Sequence, residues 1–385
     1  MRYYIIAGEA SGDLHGSNLM RGLYARDPEA DIRFWGGGLM DGVFHEHQQG
    51  NGLVKDYREG AVMGFWEVLV RARSLLGKVK ECKEDILSWH PDVVILIDYP
   101  GFNFRIAEFA HKAGFKVFYY IAPKVWASRE GRIRKLKAYV DKLFIVFPFE
   151  TGYFRRKGVD FIYKGNPLVD AVDRSPAMQE TRESFLERHG LEDRPVIALL
   201  AGSRSGEIRT MMPTFMETAA RLHGMPEYAG YQFVIAAAPG RSRDDYDLAG
   251  NDAFVHVVTG DTYGVLRQAR AAIINSGTAS LEAALIGTPQ TVGYKTAPLT
   301  ALIVRIIVKI KYASLVNLIL DRPAVKEYLQ EPFTSANLVD EIRRILEDVS
   351  YRDRMLADYA VVREKLGGTG ASEAVAGTMI AELRK

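Results

Sequence analysis

The sequence predicts an α/β protein made of two doubly wound, parallel-sheet domains. Three observations predict it. Short β-branched and aromatic runs alternate with longer helical patterns, the signature of βαβ units. Several of those runs, such as Val93–Ile97, are apolar at every position, as expected for strands covered by helices on both faces. The alternation pauses around Asn166-Pro167 and Arg174-Ser175-Pro176 and then restarts, which places a domain boundary near 165–175.

In chain order, the strand candidates of the first half are Arg2–Ala7, Ile32–Gly36, Asp92–Asp98, Lys116–Ile121, Lys142–Phe147 and Asp160–Tyr163. Those of the second half are Val196–Ala201, Gln232–Ala238, Phe254–Val258, Ala271–Asn275 and Gln290–Gly293. The tail from about Asn337 to Lys385 reads as charged helix, interrupted at Gly367-Gly368-Thr369-Gly370. Ligands of doubly wound sheets bind beyond the carboxyl ends of strands, so the sites of the two halves are expected to face a shared cleft. That suits a reaction between two substrates, one held by each half.

Length and composition agree with this reading. The 385 residues leave room for two or three domains with real cores. Lys and Arg number 50 against 48 Asp and Glu, a net charge of +2, which excludes a globally basic nucleic-acid binder and an acidic tail. The single Cys82 excludes an intramolecular disulfide and a multi-cysteine metal site, and the histidines lack metal-ligand spacing, so no metal is expected. No stretch reaches the roughly 18–20 apolar residues of a membrane span. Met1–Glu9 reads as a strand entering a turn, not as a signal peptide, and a cytoplasmic protein is expected.

Four segments carry candidate chemistry. After the first strand comes Gly8-Glu9-Ala10-Ser11-Gly12-Asp13-Leu14-His15-Gly16, whose glycines allow close backbone approach to a ligand. The spacing is not that of a dinucleotide fold, and the glycines also suit plain strand–helix packing; the crowding of Glu9, Ser11, Asp13 and His15 favours function. Asp98-Tyr99-Pro100-Gly101-Phe102-Asn103 follows the all-apolar strand, where Asp98 suits a general base or, alternatively, a turn or helix cap. Gly202-Ser203-Arg204-Ser205 offers Arg204 as a phosphate clamp or an ordinary surface arginine. Asn275-Ser276-Gly277-Thr278-Ala279-Ser280-Leu281-Glu282 runs strand, turn and helix together. Free backbone N–H groups at this turn and helix start suit a diphosphate and Glu282 suits ribose hydroxyls; alternatively the turn merely caps the helix and Glu282 is solvated. No P-loop signature occurs.

Two stretches raise the question of a membrane surface. On a helical wheel Phe65, Leu69, Ala72, Leu76 and Val79 form one stripe, flanked by Arg71 and Lys78 on one side and Arg73 and Lys80 on the other. Trp66 and Val70 add apolar surface outside it. Residues 301–311 are similarly apolar and basic. Both patterns suit an anionic membrane surface or a core helix with solvated basic edges. Arg129, Arg132, Arg134, Lys135 and Lys137 add a further basic segment that could face phosphates, lipid heads or solvent.

AGEASGDLHG, DYPGFN, IAPKVWASREGRI, FPFE, KGNPLVD, AGSRSGEI and SGTASLEAALIGTP stand in this order along nearly the whole chain, which thereby resembles the lipid-A-disaccharide synthase family. The resemblance implies a GT-B glycosyltransferase fold of two Rossmann-like domains. It divides the chain into an acceptor domain over 1–168, a UDP-sugar domain over 169–345, and a helical segment over 346–385 that returns to the first domain. It implies an inverting transfer of diacylglucosamine from UDP to the 6-hydroxyl of diacylglucosamine 1-phosphate (lipid X), with no cofactor, at the cytoplasmic face of the inner membrane. By position, Asp98 is the implied base, with Glu9, Asp13 and His15 as alternates. Arg204, Ser276, Gly277, Thr278, Glu282 and Asn317 are the implied UDP contacts. Gly8, Ser11, Gly12 and Asn103 fall on the acceptor side, and Phe65, Trp66, Leu69, Val70, Arg71, Arg73 and Leu76 at the membrane. The chain departs from the family pattern at DYPGFN, where DAPDFN is usual, so the second acid is absent. The rival readings are a UDP-sugar epimerase of the same fold, a non-catalytic carrier of acylated sugars, and, least supported, a dinucleotide oxidoreductase. The oligomeric state is not legible in the sequence.

Overall fold

A computed structural model describes residues 1–59, 67–249, 252–296 and 311–385, with the backbone alone for 67–74 and 247–249. It divides into two units, one of Met1–Ala171 with Leu366–Lys385 and one of Val172–Lys365.

The first unit holds strands β1 (Arg2–Ala7), β2 (Asp31–Gly36), β3 (Leu53–Asp56), β4 (Val93–Ile97), β5 (Lys116–Tyr120), β6 (Lys142–Ile145) and β7 (Ile162–Tyr163). They form one sheet in the order β3-β2-β1-β4-β5-β6-β7, with every neighbouring pair parallel. Central strands β1 and β4 are buried on both faces, with Ile5 beside Phe34 and Ile95, which is why their sequences show no polar alternation. The connecting helices include α1 (Ala10–Arg26), α2 (Gly38–His47), α3 (Glu67–Trp89), α4 (Pro100–Lys112), α5 (Ile133–Tyr139) and α6 (Pro148–Arg156). Then α7 (Pro167–Asp173) leads into the second unit.

That unit orders β8 (Val196–Leu200), β9 (Gln232–Ala237), β10 (Val255–Thr259), β11 (Ala269–Asn275), β12 (Gln290–Tyr294) and β13 (Lys326–Leu329) as β10-β9-β8-β11-β12-β13. These too are all parallel. Its helices α8 (Arg182–His189), α9 (Ser205–His223), α10 (Thr262–Gln268), α11 (Ala279–Ile286), α12 (Leu315–Leu320), α13 (Ser335–Glu347) and α14 (Val349–Leu366) cover both faces.

The last helix, α15 (Ala371–Leu383), belongs to the first unit, whereas residues 349–365 belong with the second. It packs on α1 where neither helix has bulk. A Cβ on Gly22 would lie 3.0 Å from the Ala376 Cβ and 3.1 Å from the Glu373 Cα. The Asp170 carboxylate accepts from the backbone N–H groups of Gly370 and, at 3.0 Å, Ser372, which fixes the start of α15.

Two strands were not expected from the sequence, β3 and β13. Both are four-residue edge strands, Leu-Val-Lys-Asp and Lys-Glu-Tyr-Leu, charged and nowhere fully buried, so neither periodicity nor composition marks them. In α3 the core-facing row is Leu75, Val79, Cys82 and Ile86. Leu76, placed on one stripe with Val79 by the helical wheel, is 59% exposed instead. Phe65, Trp66 and residues 301–310 lie outside the described residues, and of Leu69, Val70, Arg71 and Arg73 only the helical backbone is described. No helix among the described residues is long and apolar enough to cross a membrane.

Candidate functional site

In each sheet the strand order reverses at one place, between β1 and β4 in the first unit and between β8 and β11 in the second. Loops leaving the carboxyl ends of those strands frame the crevice of a doubly wound sheet. Gly8-Glu9 and Asp98-Tyr99 leave β1 and β4; Gly202-Ser203-Arg204 and Ser276-Gly277-Thr278 follow β8 and β11.

The first switch point is strained. Asp98 and Tyr99 both have φ 43°, and Ile121, directly after neighbouring β5, has φ 61°. Such conformations cost of order 1–3 kcal/mol each in non-glycine residues, and persist only where surrounding contacts impose them. The contacts are visible. The Asp98 N–H donates to the Tyr120 carbonyl at 3.2 Å. Its carbonyl accepts from the Tyr119 hydroxyl at 2.6 Å and the Asn103 amide at 2.8 Å. Pro100 disfavours the right-handed helical region for Tyr99. The half-buried Tyr99 ring stacks on Phe102 and lies so close to Gly8 that a Cβ there would collide with it. Asp98 is thus presented, half-buried, at a strand end by an over-determined backbone.

The other residues expected here divide by environment. Glu9 and Ser11 are exposed at the start of α1. Gly12 is buried, where an added Cβ would lie 3.2 Å from the Ala7 Cβ, and serves helix–strand packing. Asp13, expected as an alternate base, caps a helix in this structure. Its buried carboxylate accepts from the N–H groups of Gly37 at 2.9 Å, Leu39 at 3.1 Å and Met40 at 3.0 Å, the start of α2. Burial raises its pKa and those three bonds lower it, with burial the larger cause. His15 is buried with Nδ1 unpartnered, and burial pushes the imidazole down to about 4, so at neutral pH it is uncharged. Asn103, expected on the acceptor side, is fully buried beneath Asp98, donates to the carbonyls of Ile97 and Asp98, and keeps its Oδ1 without a partner.

In the second unit Gly202 has φ 107°, and a Cβ there would strike Asn275 and the Glu207 carboxylate, so only glycine fits. Arg204 caps α9 and stays 72% exposed, with one guanidinium N–H on Glu207 Oε1 at 3.2 Å. Behind it Arg241 donates to the Ser203 carbonyl at 2.8 Å and the Ser205 hydroxyl at 3.0 Å, stiffening the same loop. Helix α11 begins after Thr278 with no side-chain cap on its first N–H groups. The Ser276 hydroxyl donates to the Ala313 carbonyl at 2.9 Å, and Ser280 donates to the Gly277 carbonyl. Glu282 accepts from the Tyr263 hydroxyl at 3.1 Å, and burial raises its carboxyl to about 7.

Asn317, expected at the nucleotide, serves as an internal clamp in this structure. Its amide donates to Val325 O and Glu327 Oε1, and its carbonyl accepts from the N–H groups of Ala324 and Val325. Both donors and both lone pairs of the buried amide are thereby used. Glu327 also accepts from the N–H groups of Ala313 and Ser314, which holds the segment that Ser276 bonds. Tyr263, Arg241 and Glu327 complete this site and were not anticipated. Tyr263 and Glu327 are single residues outside any glycine-rich or strand-terminal motif, Arg241 follows a plain Pro-Gly turn after β9, and β13, which carries Glu327, has no sequence signal of its own.

Among the described residues no three His, Cys, Asp or Glu come together to hold a metal ion. The solved UDP-GlcNAc 2-epimerase of Methanocaldococcus jannaschii, in complex with UDP-GlcNAc and UDP, shares the fold at a TM-score of 0.68 and 13% identity. That likeness covers 99% of this chain and 100% of the other. The lipid-A-disaccharide synthase of Geobacter metallireducens is 38% identical over 387 residues, covering 100% of this chain and 98% of its own. That of Myxococcus xanthus is 38% identical over 98% of this chain and 97% of its own. The family described as lipid-A-disaccharide synthetase matches residues 3–370. With two doubly wound switch points on a GT-B fold and full-length relatives of this kind, the chain belongs to the lipid-A-disaccharide synthetase family.

Proposed function

We propose that the protein transfers diacylglucosamine from its UDP carrier to the 6-hydroxyl of diacylglucosamine 1-phosphate, with inversion at the anomeric carbon and release of UDP. The observation that carries this reading is Asp98, held in a left-handed backbone at the switch point of the first sheet by three hydrogen bonds to its main chain. Full-length likeness to lipid-A-disaccharide synthases supports the substrates.

In this reading Asp98 accepts the proton of the acceptor 6-hydroxyl as that oxygen bonds to the anomeric carbon from the face opposite UDP. The bond from that carbon to the β-phosphate oxygen breaks, and its electron pair leaves on the phosphate. The developing charge meets Arg204 and the Gly277-Thr278 turn with the positive end of α11 behind it. Glu282, steadied by Tyr263, accepts from the ribose hydroxyls. The protein works as a peripheral one on the cytoplasmic face of the inner membrane. Exposed Leu76 on α3 supports that placement, as do the basic and apolar neighbours in its sequence.

Purified protein given both substrates is expected to form the disaccharide 1-phosphate and free UDP; absence of both products overturns the reading. Recovery of an epimerised UDP-sugar without acceptor would establish the epimerase in its place. Asp98→Asn is expected to cut kcat by about 10²–10⁴-fold while UDP still binds. Undiminished turnover would move the base to Glu9, the one alternate that is exposed.

A further inference from the structure

The segment that follows β5 carries two cations that the reaction above does not use. Arg132 is half-buried, its guanidinium carbon 5.6 Å from the centroid of the Phe104 ring. That ring packs on Tyr119, with centroids 5.7 Å apart, and the Tyr119 hydroxyl bonds the Asp98 carbonyl. One unbroken line of contacts therefore joins Arg132 to the backbone of the proposed base. Arg129, exposed one turn earlier, has φ 57° at the head of the short helical turn Glu130–Arg132. Burial and then the charge of Arg129 push the Arg132 guanidinium below its ordinary value.

Neighbouring acids do not relieve this pair. Glu130, between the two arginines, is held by Lys157. Glu108 on α4 is shared by Lys112 at 2.8 Å and Lys135 at 3.7 Å. Among the described residues neither Arg129 nor Arg132 has a carboxylate partner. A partly desolvated cation beside a like charge is costly until an anion reaches it, and two guanidinium forks match the oxygens of a phosphate.

We propose that Arg129 and Arg132 form a subsite for a phosphate monoester, the anomeric phosphate of the acceptor sugar. The proposal rests on the transferase reading for the identity of that acceptor. A membrane headgroup offers the same chemistry, but Arg132 is half-buried against an aromatic ring, which suits a ligand entering the site better than a flat surface.

The test compares the phosphorylated acceptor with the same lipid lacking its phosphate, both in neutral detergent micelles. Wild type, Arg129→Gln, Arg132→Gln and Arg132→Lys are assayed for KM and kcat. Losing one charged contact is expected to raise KM for the phosphorylated acceptor by about 10- to 100-fold and to collapse the preference over the other acceptor. Lys at 132 is expected to restore part of that preference. Arg129 is exposed, so its variant reports even if Arg132→Gln folds poorly. A preference that survives in both Gln variants overturns the subsite. So does an unchanged KM in micelles accompanied by lost sedimentation with phosphatidylglycerol vesicles, which would assign the arginines to headgroups. If wild type forms no product from either acceptor, the transferase reading fails separately. Equilibrium binding of the phosphorylated lipid, expected to weaken about tenfold or more in the Gln variants, then decides the subsite alone.

Discussion

Asp13 is a buried carboxylate and Glu282 a half-buried one, and their surroundings differ. Asp13 turns both its oxygens inward on three N–H groups, whereas Glu282 has a single bond from Tyr263 and spare lone pairs. Its carboxyl is raised to about 7, so the ionised form that accepts ribose hydroxyls gains population as pH rises through that value. UDP affinity measured by calorimetry is therefore expected to strengthen between about pH 6 and 8 in the wild type. Glu282→Gln is expected to abolish this pH dependence and to weaken binding by about 10-fold or more above pH 7. A variant that keeps the wild-type slope would show that another group titrates. At this scale the sequence showed which strand-end motifs place Asp98 and Arg204 beyond the carboxyl ends of β4 and β8. Residue type and position could not reveal that Asp13 and Asn317 are bonded to neighbouring groups inside the fold.

Elements show the same economy. Helix α2 starts at Gly38 without a side-chain cap of its own, and Asp13 from α1 supplies the missing acceptor across the fold. Asp13→Ala is expected to lower stability by about 1–3 kcal/mol, seen as a shifted urea midpoint, through loss of partners for partly buried N–H groups. Residual activity per folded molecule should be retained. A stable variant without turnover would restore Asp13 to the chemistry. Strands in the middle of each sheet were readable because burial on both faces forces continuous apolar runs, as in Val93–Ile97 and Val196–Leu200. Edge strands β3 and β13 answer to pairing on one side only, tolerate Lys, Asp and Glu, and so leave no pattern to read.

For the whole molecule, the decisive feature is that the chain's last helix completes its first unit. Asp170 ties the turn at Gly370 and Ser372, Gly22 admits Ala376, and Lys142 pairs with Glu382 at 2.8 Å. Asp170→Ala is expected to free α15 first. Limited proteolysis should then cut within 366–371 at least about tenfold faster than in the wild type, before global unfolding. Equal cleavage rates would show that packing on α1 alone holds the helix. The pause at Gly367–Gly370 was legible in the sequence, but the ownership of α15 rests on small-residue contacts with α1 that no local pattern encodes.

This arrangement bears on how the protein is made. A ribosome delivers the first 171 residues early, yet the helix that covers α1 emerges only after all of Val172–Lys365 has been synthesised. At ordinary elongation speeds that delay is about 10–40 s, far longer than a small domain needs to fold. Throughout it, the α1 surface around Gly22 waits uncovered while the second unit, continuous in the chain, is free to fold as soon as it appears. The second unit is thus able to close before the first, whose α1 face is covered only once Ala371–Leu383 has been made.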